Sequence, residues 1–378
     1  MIKAAYIHIP FCEHICHYCD FNKVFLKGQP VDEYLDALEK EIKLTAAKNQ
    51  HTLSTVFVGG GTPTSLNAKQ LERLCAIISE NLVLDKNAEY TFEANPGDLA
   101  PDKLKALYDG GVNRLSFGVQ SFNDELLQRI GRTHRAKDVF SSVEAANRIG
   151  FDNISIDLMY SLPGQTVEDF AATLKQAFTL DIQHFSGYSL IIEPKTVFYN
   201  LLRKGKLLTP GEDAEATMYR LLMEEMEKHG YKQYEISNFA KDGYESIHNI
   251  TYWNNAEYYG FGAGAHGYVN GYRRSNFGPL KKYMEPLAEG NLPLLDNHKV
   301  TRTEQMEEEL FLGLRKNSGV SLNSFKDKYN QDIEILFADE LKGLLERGLI
   351  SMDDGNLKLT YDGRFLGNEV FQSFIGIL

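Results

Sequence analysis

Apolar and polar positions follow two different periods through the first half of the chain. Short runs rich in β-branched and aromatic residues predict strands. These runs lie at residues 6–9, 55–58, 90–94, 114–118, 154–157 and 184–190. Apolar residues spaced three and four apart predict helices between them, at residues 31–48, 69–82 and 167–179 among others. Repeated strand-then-helix units predict a parallel α/β sheet, and six such strands predict an incomplete (β/α)6 barrel of the TIM type.

The alternation fades after about residue 195, where a long helix is predicted at residues 212–229. Near the end of the chain, helical stretches precede two short strands joined by a turn, at residues 349–352 and 357–360. Helices followed by a hairpin are typical of a small α+β, winged-helix-like domain. The predicted division is a barrel core at 1–195, a barrel extension at 196–300 and a C-terminal domain at 301–378.

Charge and composition exclude some classes of function. Lys and Arg number 40 against 52 Asp and Glu, so the formal net charge is -12. This balance argues against a nucleic-acid binder, whose affinity rests on neutralising phosphates. No apolar run approaches the roughly 18 residues that a membrane span needs, and the first residues lack the features of a signal peptide. A cytoplasmic location is therefore expected.

Three of the four cysteines, Cys12, Cys16 and Cys19, lie within eight consecutive positions directly after a predicted strand. Three thiolates can bind three irons of a cubane cluster and leave the fourth iron open to a small molecule, whereas electron-transfer clusters use four cysteines. A zinc site is the alternative, but zinc requires a fourth ligand, and the two histidines of this short loop are awkwardly placed to close a tetrahedron. Cys75 lies in a helical apolar stripe and is interpreted as a packing residue.

The residues around these cysteines resemble the signature of radical S-adenosylmethionine proteins, and in particular the oxygen-independent coproporphyrinogen III oxidase-like family. The resemblance begins at residues 6–21. It continues in order through motifs at residues 59–64, 92–97, 118–122, 130–134 and 156–165. It implies a [4Fe-4S] cluster on the three cysteines, with S-adenosylmethionine bound at the open iron and cleaved reductively to methionine and a 5′-deoxyadenosyl radical.

The resemblance also implies which residues contact S-adenosylmethionine. They are Tyr6, Tyr18, Gly60, Gly61, Thr62, Glu93, Gln120, Arg132 and Asp157. Glycines let backbone approach a ligand closely, Glu93 can accept hydrogen bonds from an amino group or ribose hydroxyls, and Arg132 offers a planar fork for a carboxylate. Taken singly, a tight turn or a barrel ion pair would explain such residues about as well. No catalytic residue is identified.

Two departures from the oxidase pattern favour a different branch of the family. Phe21 stands where the oxidase has a further cysteine, and only eleven residues precede Cys12, where the oxidase has an N-terminal extension. Residues 248–253 also match the His-Asn-x-x-Tyr-Trp motif of the family's heme-chaperone branch. The match implies heme contacts at His248, Asn249, Tyr252 and Trp253. A histidine can be an axial iron ligand, and aromatic rings can pack on a porphyrin; a packed loop with a satisfied histidine is the alternative.

The sequence therefore predicts a heme chaperone that binds heme and transfers it to an acceptor protein, on a radical S-adenosylmethionine scaffold. The alternative function is oxygen-independent oxidation of coproporphyrinogen III. The expected partners are heme, an unidentified acceptor such as a respiratory protein, and an electron donor such as a flavodoxin or a ferredoxin.

Overall fold

The computed structural model describes residues 1–46 and 51–378. Its strands are, in chain order, β1 (Ala4–Ile9), β2 (Phe11–Cys12), β3 (Val24–Phe25), β4 (Thr52–Gly60), β5 (Val83–Ala94), β6 (Arg114–Gln120), β7 (Ile154–Tyr160), β8 (His184–Ser189), β9 (Lys232–Glu235), β10 (Asn238–Ala240), β11 (Tyr258–Phe261), β12 (His266–Val269), β13 (Tyr272–Asn276), β14 (Leu294–Lys299), β15 (Val320–Ser321), β16 (Ile350–Asp353) and β17 (Asn356–Leu359).

The helices lie between these strands and in the C-terminal part of the chain. They are α1 (Val31–Ala46), α2 (Ala68–Asn81), α3 (Pro101–Asp109), α4 (Asp124–Arg129), α5 (Ala136–Ile149), α6 (Val167–Ala177), α7 (Val197–Arg203), α8 (Glu212–Lys228), α9 (Ile247–Trp253), α10 (Leu280–Ala288), α11 (Arg302–Gly313), α12 (Leu322–Tyr329), α13 (Ile333–Leu336), α14 (Ala338–Glu346) and α15 (Gly367–Gln372). None of the described helices combines the length and the apolar character that crossing a membrane requires.

Six parallel strands form the wall of the barrel, in the order β1-β4-β5-β6-β7-β8. Beyond β1 the sheet continues with parallel β11 and then antiparallel β12, β13 and β14. Beyond β8 it continues with antiparallel β10 and β9. Since β14 and β9 lie at opposite ends of this twelve-stranded sheet, the barrel is open, which confirms the prediction of an incomplete barrel.

The strands and helices follow the polarity pattern of the sequence. Along β4, Val56 and Val58 are fully buried against the outer helices, whereas Thr55 and Phe57 alternate with them and therefore face the lumen. In α2 the apolar stripe is buried, and its member Cys75 is a free thiol with 3% of its surface exposed. Cys75 is thus a core residue, as interpreted from the sequence.

The C-terminal part has an apolar core of its own and extends one edge of the large sheet. Its three-stranded sheet has the order β15-β17-β16, beside helices α11 to α15. The segment after α11 lies along β9, because the Ile236 amide donates to the Arg315 carbonyl at 3.0 Å and the Asn317 amide donates to the Tyr234 carbonyl at 3.0 Å. An antiparallel bridge between Glu235 and Lys316 completes this contact.

Most of the predicted strands and helices are present, but they begin or end at residues other than the predicted ones. The strands predicted at 55–58 and 90–94 are parts of the longer β4 and β5. The helix predicted at 31–48 is α1, whose described residues end at Ala46, and residues 47 and 48 lie outside the described part. The short strands β9 to β14 were not predicted individually, because their polar and apolar residues do not alternate clearly. The domain boundaries predicted at 195/196 and 300/301 fall in the β8–α7 and β14–α11 connections and remain predictions.

Candidate functional site

The cysteine loop leaves the barrel wall directly after β1 and lies at the carboxyl end of the strands. Short parallel pairing between β2 and β3 closes the two ends of this loop against each other. Cys12 is buried with 6% of its surface exposed, and Cys16 and Cys19 are half-buried. The three sulfurs border one cavity, which is where parallel α/β barrels carry their functional groups.

Eleven of the residues predicted to hold the cluster or S-adenosylmethionine line this cavity. They are Cys12, Cys16, Tyr18, Cys19, Gly60, Gly61, Thr62, Glu93, Gln120, Arg132 and Asp157. Tyr6 is the exception. Its hydroxyl forms a 3.0 Å hydrogen bond with Nδ1 of His8, and its ring stacks on Phe57 deeper in the lumen.

The environment of the thiols suits a cluster with several irons. Burial raises the pKa of Cys12 to about 11, and burial also raises the pKa of Cys19. Thiolates at these positions therefore need a strong local positive charge, which iron would supply. In the described ranges, no three Cys, His, Asp or Glu side chains are grouped so as to hold a metal ion. Three thiols spread around a cavity fit a cubane cluster better than they fit zinc.

Steric contacts explain why glycine is needed at the end of β4 and directly after it. A Cβ on Gly61 would lie 2.8 Å from the Phe11 carbonyl oxygen and 3.0 Å from Cys12 Sγ. Gly60 has a φ of +116°, and a Cβ there would lie 2.5 Å from the His8 ring. Only glycine allows the backbone to pass this close to the cysteine loop.

Arg132 is fixed beside the cysteine loop by two hydrogen bonds. Its Nη2 donates to the Gly118 carbonyl oxygen, and its Nη1 donates to Cys16 Sγ at 3.5 Å. A Cβ on Gly118 would lie 2.9 Å from Arg132 Nη2, so the glycine makes room for the guanidinium. A half-buried guanidinium of this kind can still offer N–H groups to a carboxylate in the cavity.

Two carboxylates lie across the cavity from the cysteines. Burial raises the pKa of Glu93 to about 7, the Gly60 amide that donates to Glu93 Oε2 at 3.0 Å opposes this effect, and nearby Asp157 adds to it. Burial also raises the pKa of Asp157, whose Oδ1 accepts from Ser116 Oγ at 3.4 Å. Both groups are thus poised to become more fully ionised when a cation binds beside them.

Gln120 reaches the cavity through an irregular strand end. The pairing of β6 with β7 shifts between Gly118 and Gln120, which places one extra residue in β6. Gln120 has a φ of +66°, a conformation that a residue other than glycine rarely adopts. Such strain is characteristic of functional sites. The sequence predicted Gln120 by resemblance only and gave no sign of the bulge.

The polar cavity residues that sequence reasoning did not identify as contacts include Lys23 and Asn95. Lys23 Nζ donates to the Cys19 carbonyl oxygen at 2.5 Å, and no sequence pattern pointed to it. Asn95 Nδ2 donates to Thr62 Oγ1 at 3.2 Å, and Thr62 Oγ1 donates to Cys12 Sγ at 3.6 Å. Asn95 lies inside the motif at 92–97, so its position there was a signal that could have been used.

The predicted heme contacts lie elsewhere, on α9 at the amino end of the barrel. His248 is 1% exposed, its Nε2 forms a 2.7 Å hydrogen bond with the Tyr252 hydroxyl, and its Nδ1 lies 3.3 Å from Thr55 Oγ1. Burial, together with nearby Arg114, lowers the pKa of His248 to about 3. Thr55 and Gly60 are five residues apart on β4, so this site lies roughly 16 Å below the cysteine cavity at about 3.3 Å per residue.

The remaining residues of the motif are Asn249 and Trp253, which have other partners. The amide of Asn249 donates to Ser246 Oγ at 3.3 Å. Trp253 packs against the C-terminal part, with the Arg315 guanidinium 5.1 Å from its ring centroid. The structure therefore groups His248 with Tyr252 in the lumen and separates Trp253 from them.

Comparison with known proteins agrees with this architecture. The family model of the radical SAM superfamily matches residues 6–177, and that of the HemN C-terminal domain matches residues 300–366. The solved structure of coproporphyrinogen III oxidase (HemN) from Escherichia coli, a radical SAM enzyme, aligns with a TM-score of 0.88 and 28% identity, over 100% of this chain and 91% of that one. The barrel and its three-cysteine loop thus define a radical SAM protein.

Curated relatives show to which family of radical SAM proteins the chain belongs. Heme chaperone HemW from Bacillus subtilis is 56% identical over 379 residues, covering 100% of both chains. Heme chaperone HemW from Lactococcus lactis is 46% identical over 373 residues, covering 99% of this chain and 97% of the relative. The chain belongs to the HemW heme chaperone family.

Proposed function

We propose that the chain holds a [4Fe-4S] cluster on Cys12, Cys16 and Cys19 and binds S-adenosylmethionine in the adjoining cavity. Membership of the radical SAM superfamily implies both cofactors. The observation that supports these positions is that the three thiols share one cavity with Arg132 and Glu93. When bound, the reduced cluster supplies the electron that breaks a carbon–sulfur bond of the sulfonium.

The chain's own residues orient the cofactor and exclude water from it. Arg132 pairs with the methionine carboxylate, and Glu93 accepts from the amino group or from ribose hydroxyls. The backbone at Gly60 and Gly61 passes along the methionine moiety. The other proposed contacts are Tyr6, Tyr18, Thr62, Gln120 and Asp157.

The proposed biological role is to bind heme and pass it to an acceptor protein. Its main support is the likeness to heme chaperone HemW of Bacillus subtilis, which extends over the whole chain. Phe21 supports it further, because this cavity residue replaces a cysteine expected in coproporphyrinogen oxidases. A flavodoxin or a ferredoxin is the proposed electron donor, and the acceptor is a heme-requiring protein such as a respiratory one.

His248 is the proposed axial ligand, with Asn249, Tyr252 and Trp253 as further heme contacts. A neutral imidazole is the form that binds iron. The pKa of about 3 keeps His248 neutral at every physiological pH. Its burial and its two hydrogen bonds mean that heme can reach it only after α9 has moved.

The test uses protein reconstituted anaerobically with iron and sulfide and titrated with heme. The expected result is saturable heme uptake that His248→Ala weakens at least tenfold while the cluster absorbance is unchanged. His298→Ala is the control, because His298 is an exposed histidine on β14 that pairs with Glu304. Heme uptake that His248→Ala leaves unchanged would remove His248 as the ligand. Protoporphyrinogen formation from coproporphyrinogen III at the level of an oxidase would instead overturn the chaperone role.

A further inference from the structure

The amino end of α9 is anchored on a buried carboxylate of the barrel. Glu89, with 7% of its surface exposed, accepts hydrogen bonds from the amides of Ile247 and His248, both at 3.0 Å, and from Ser246 Oγ at 3.3 Å. A carboxylate that receives the free amides of a helix start makes strong, charge-assisted bonds. This contact fixes the position at which His248 enters the lumen.

Inside the lumen, neither ring nitrogen of His248 is available. One is bonded to Tyr252 and the other to Thr55. The imidazole also stacks on Phe57, with ring centroids 5.1 Å apart and an angle of 27° between the planes. Since iron needs a free nitrogen lone pair and a porphyrin needs open space around it, heme cannot reach His248 in this arrangement.

The carboxyl end of α9 is held by the C-terminal part of the chain. The Arg315 guanidinium lies 5.1 Å from the Trp253 ring centroid and 4.7 Å from that of Phe371, so it sits between α9 and α15. Next to it, Lys316 Nζ donates to Asn254 Oδ1 at 2.5 Å. Residues 315 and 316 follow α11 directly, and α11 itself packs against α9.

In this contact at the carboxyl end of α9, some hydrogen-bond donors lack an acceptor. Among the described residues, Trp253 Nε1 and Arg315 Nε are both buried without a hydrogen-bond acceptor. Buried donors that lack a partner cost free energy that solvent would return if the contact opened. The Glu89 contact has no such deficit at its amides. Of the two ends of α9, the one held by the C-terminal part is therefore the easier to release.

We propose that the C-terminal part is a latch that closes the heme site: the Trp253–Arg315 contact keeps α9 seated, and heme binds to His248 only in molecules in which this contact has opened. The inference rests on the proposed function of His248. If only a small fraction of molecules is open, the apparent heme affinity is reduced by that fraction, and loosening the latch raises the affinity in proportion.

The test exploits the fact that Trp253 is the single tryptophan of the chain. Acrylamide quenching of its fluorescence in the heme-free protein measures how often the contact opens. Arg315→Ala is expected to increase the quenching constant severalfold and to tighten heme binding about five- to tenfold, following the rise in the open fraction. Glu89→Gln, which weakens the other anchor, should act in the same direction.

Two controls make the test decisive. Arg347→Ala removes an exposed arginine of the same domain that pairs with Glu369, and it should change neither quenching nor heme affinity. Adding His248→Ala to Arg315→Ala should cancel the gain in affinity. Unchanged quenching in both loosened variants would overturn the latch, and so would increased quenching without tighter heme binding. Wild-type protein that takes up no heme, or whose uptake ignores His248→Ala, would instead contradict the proposed function.

Discussion

The two ends of this barrel are built in opposite ways. At the carboxyl end, three thiols, Arg132 and two carboxylates surround an open cavity whose groups have hydrogen-bonding capacity to spare. At the amino end, His248 is 1% exposed and bonded at both ring nitrogens, and Glu89 receives the start of α9. The first region contains a cavity lined by polar groups, and the second is filled by the protein itself.

The difference shows that a sequence motif does not reveal whether its residues are accessible to a ligand in the folded protein. In the sequence, the carboxyl end carries the cysteine loop and an ordered series of motifs, whereas the amino end carries the single motif at residues 248–253. Only the carboxyl end has polar side chains arranged around empty space, as a preorganised site requires. At the amino end the same kind of side chains satisfy one another, so binding there has a conformational cost and is open to control.

The largest effect is expected from a substitution in the cysteine site, which tests whether the two ends of the barrel function separately. Cys12→Ala should abolish the cluster completely, because two thiolates cannot hold the cubane that three are proposed to hold. Heme uptake should persist, since α9 lies roughly 16 Å away along β4 by strand geometry. Iron and sulfide content, absorbance and heme titration measure the two outcomes separately.

Cys75→Ala is the matched control, since Cys75 is a free cysteine on the buried face of α2. It should retain the full cluster. A cluster that survived Cys12→Ala, or that was lost equally in Cys75→Ala, would contradict the assignment of the ligands.

Much of the carboxyl end could be predicted from the sequence, for a physical reason. In a parallel barrel, residues near the carboxyl ends of the strands meet at one rim, so recognising strand ends already brings Cys12, Gly60 and Glu93 together. Asp157 joins them from the middle of β7, which extends beyond the strand predicted at 154–157. The pattern could not reveal the bulge that turns Gln120 toward the cavity, because a bulge depends on the register between two strands. Lys23 was missed because a lysine in a loop is ordinarily solvated.

The amino end was much harder to predict. The sequence identified residues 248–253 as a motif but not as a helix seated in the lumen. The contact that seats it joins Glu89 to His248, which are 159 residues apart. Nothing local marks Glu89 as a partner, since its strand would accept many residues at that position. The alternative of a satisfied histidine, raised from the sequence, describes this conformation of His248, and the heme contacts remain proposals.

A smaller effect is expected from removing the anchor of α9. Glu89→Ala leaves two helix-start amides without their buried acceptor, which should lower the free energy of unfolding by about 2–4 kcal/mol. Urea denaturation of the cluster-free protein measures the loss. The cluster should still assemble, because Glu89 does not line the cysteine cavity.

Glu304→Ala provides the comparison for this variant. Glu304 also accepts an amide at a helix start, that of Thr301 before α11, but it does so in solvent, where water can replace it. Its loss of stability should be clearly smaller. Equal losses in the two variants would mean that the burial of Glu89 adds nothing, and that the amino end is not closed as firmly as its contacts indicate.

The smallest expected effect concerns the protonation of Glu93. With a pKa of about 7, Glu93 changes from mostly protonated at pH 6 to mostly ionised at pH 8. If it faces the amino group of S-adenosylmethionine, affinity should rise by up to about tenfold over this range, and Glu93→Gln should flatten the rise. Equilibrium binding to the reconstituted, unreduced protein measures this change in affinity. Glu80→Gln, at an exposed position of α2, should keep the wild-type profile.

The contribution of Glu93 to folding stability should change with pH in the opposite direction to the affinity for S-adenosylmethionine, so the two effects can be distinguished. Because the folded protein raises the pKa of Glu93 above the ordinary value of 4.5, it binds this proton more tightly than the unfolded chain does. The contribution of Glu93 to stability is therefore greatest at low pH and falls as the pH rises from about 4.5 to 7. If affinity rises with pH while the stability difference between wild type and Glu93→Gln falls, then Glu93 contacts the ligand in its ionised form. Affinity that is independent of pH would show that Glu93 only supports the Gly60 turn. The carboxyl end would then resemble the amino end, where the polar groups bind one another.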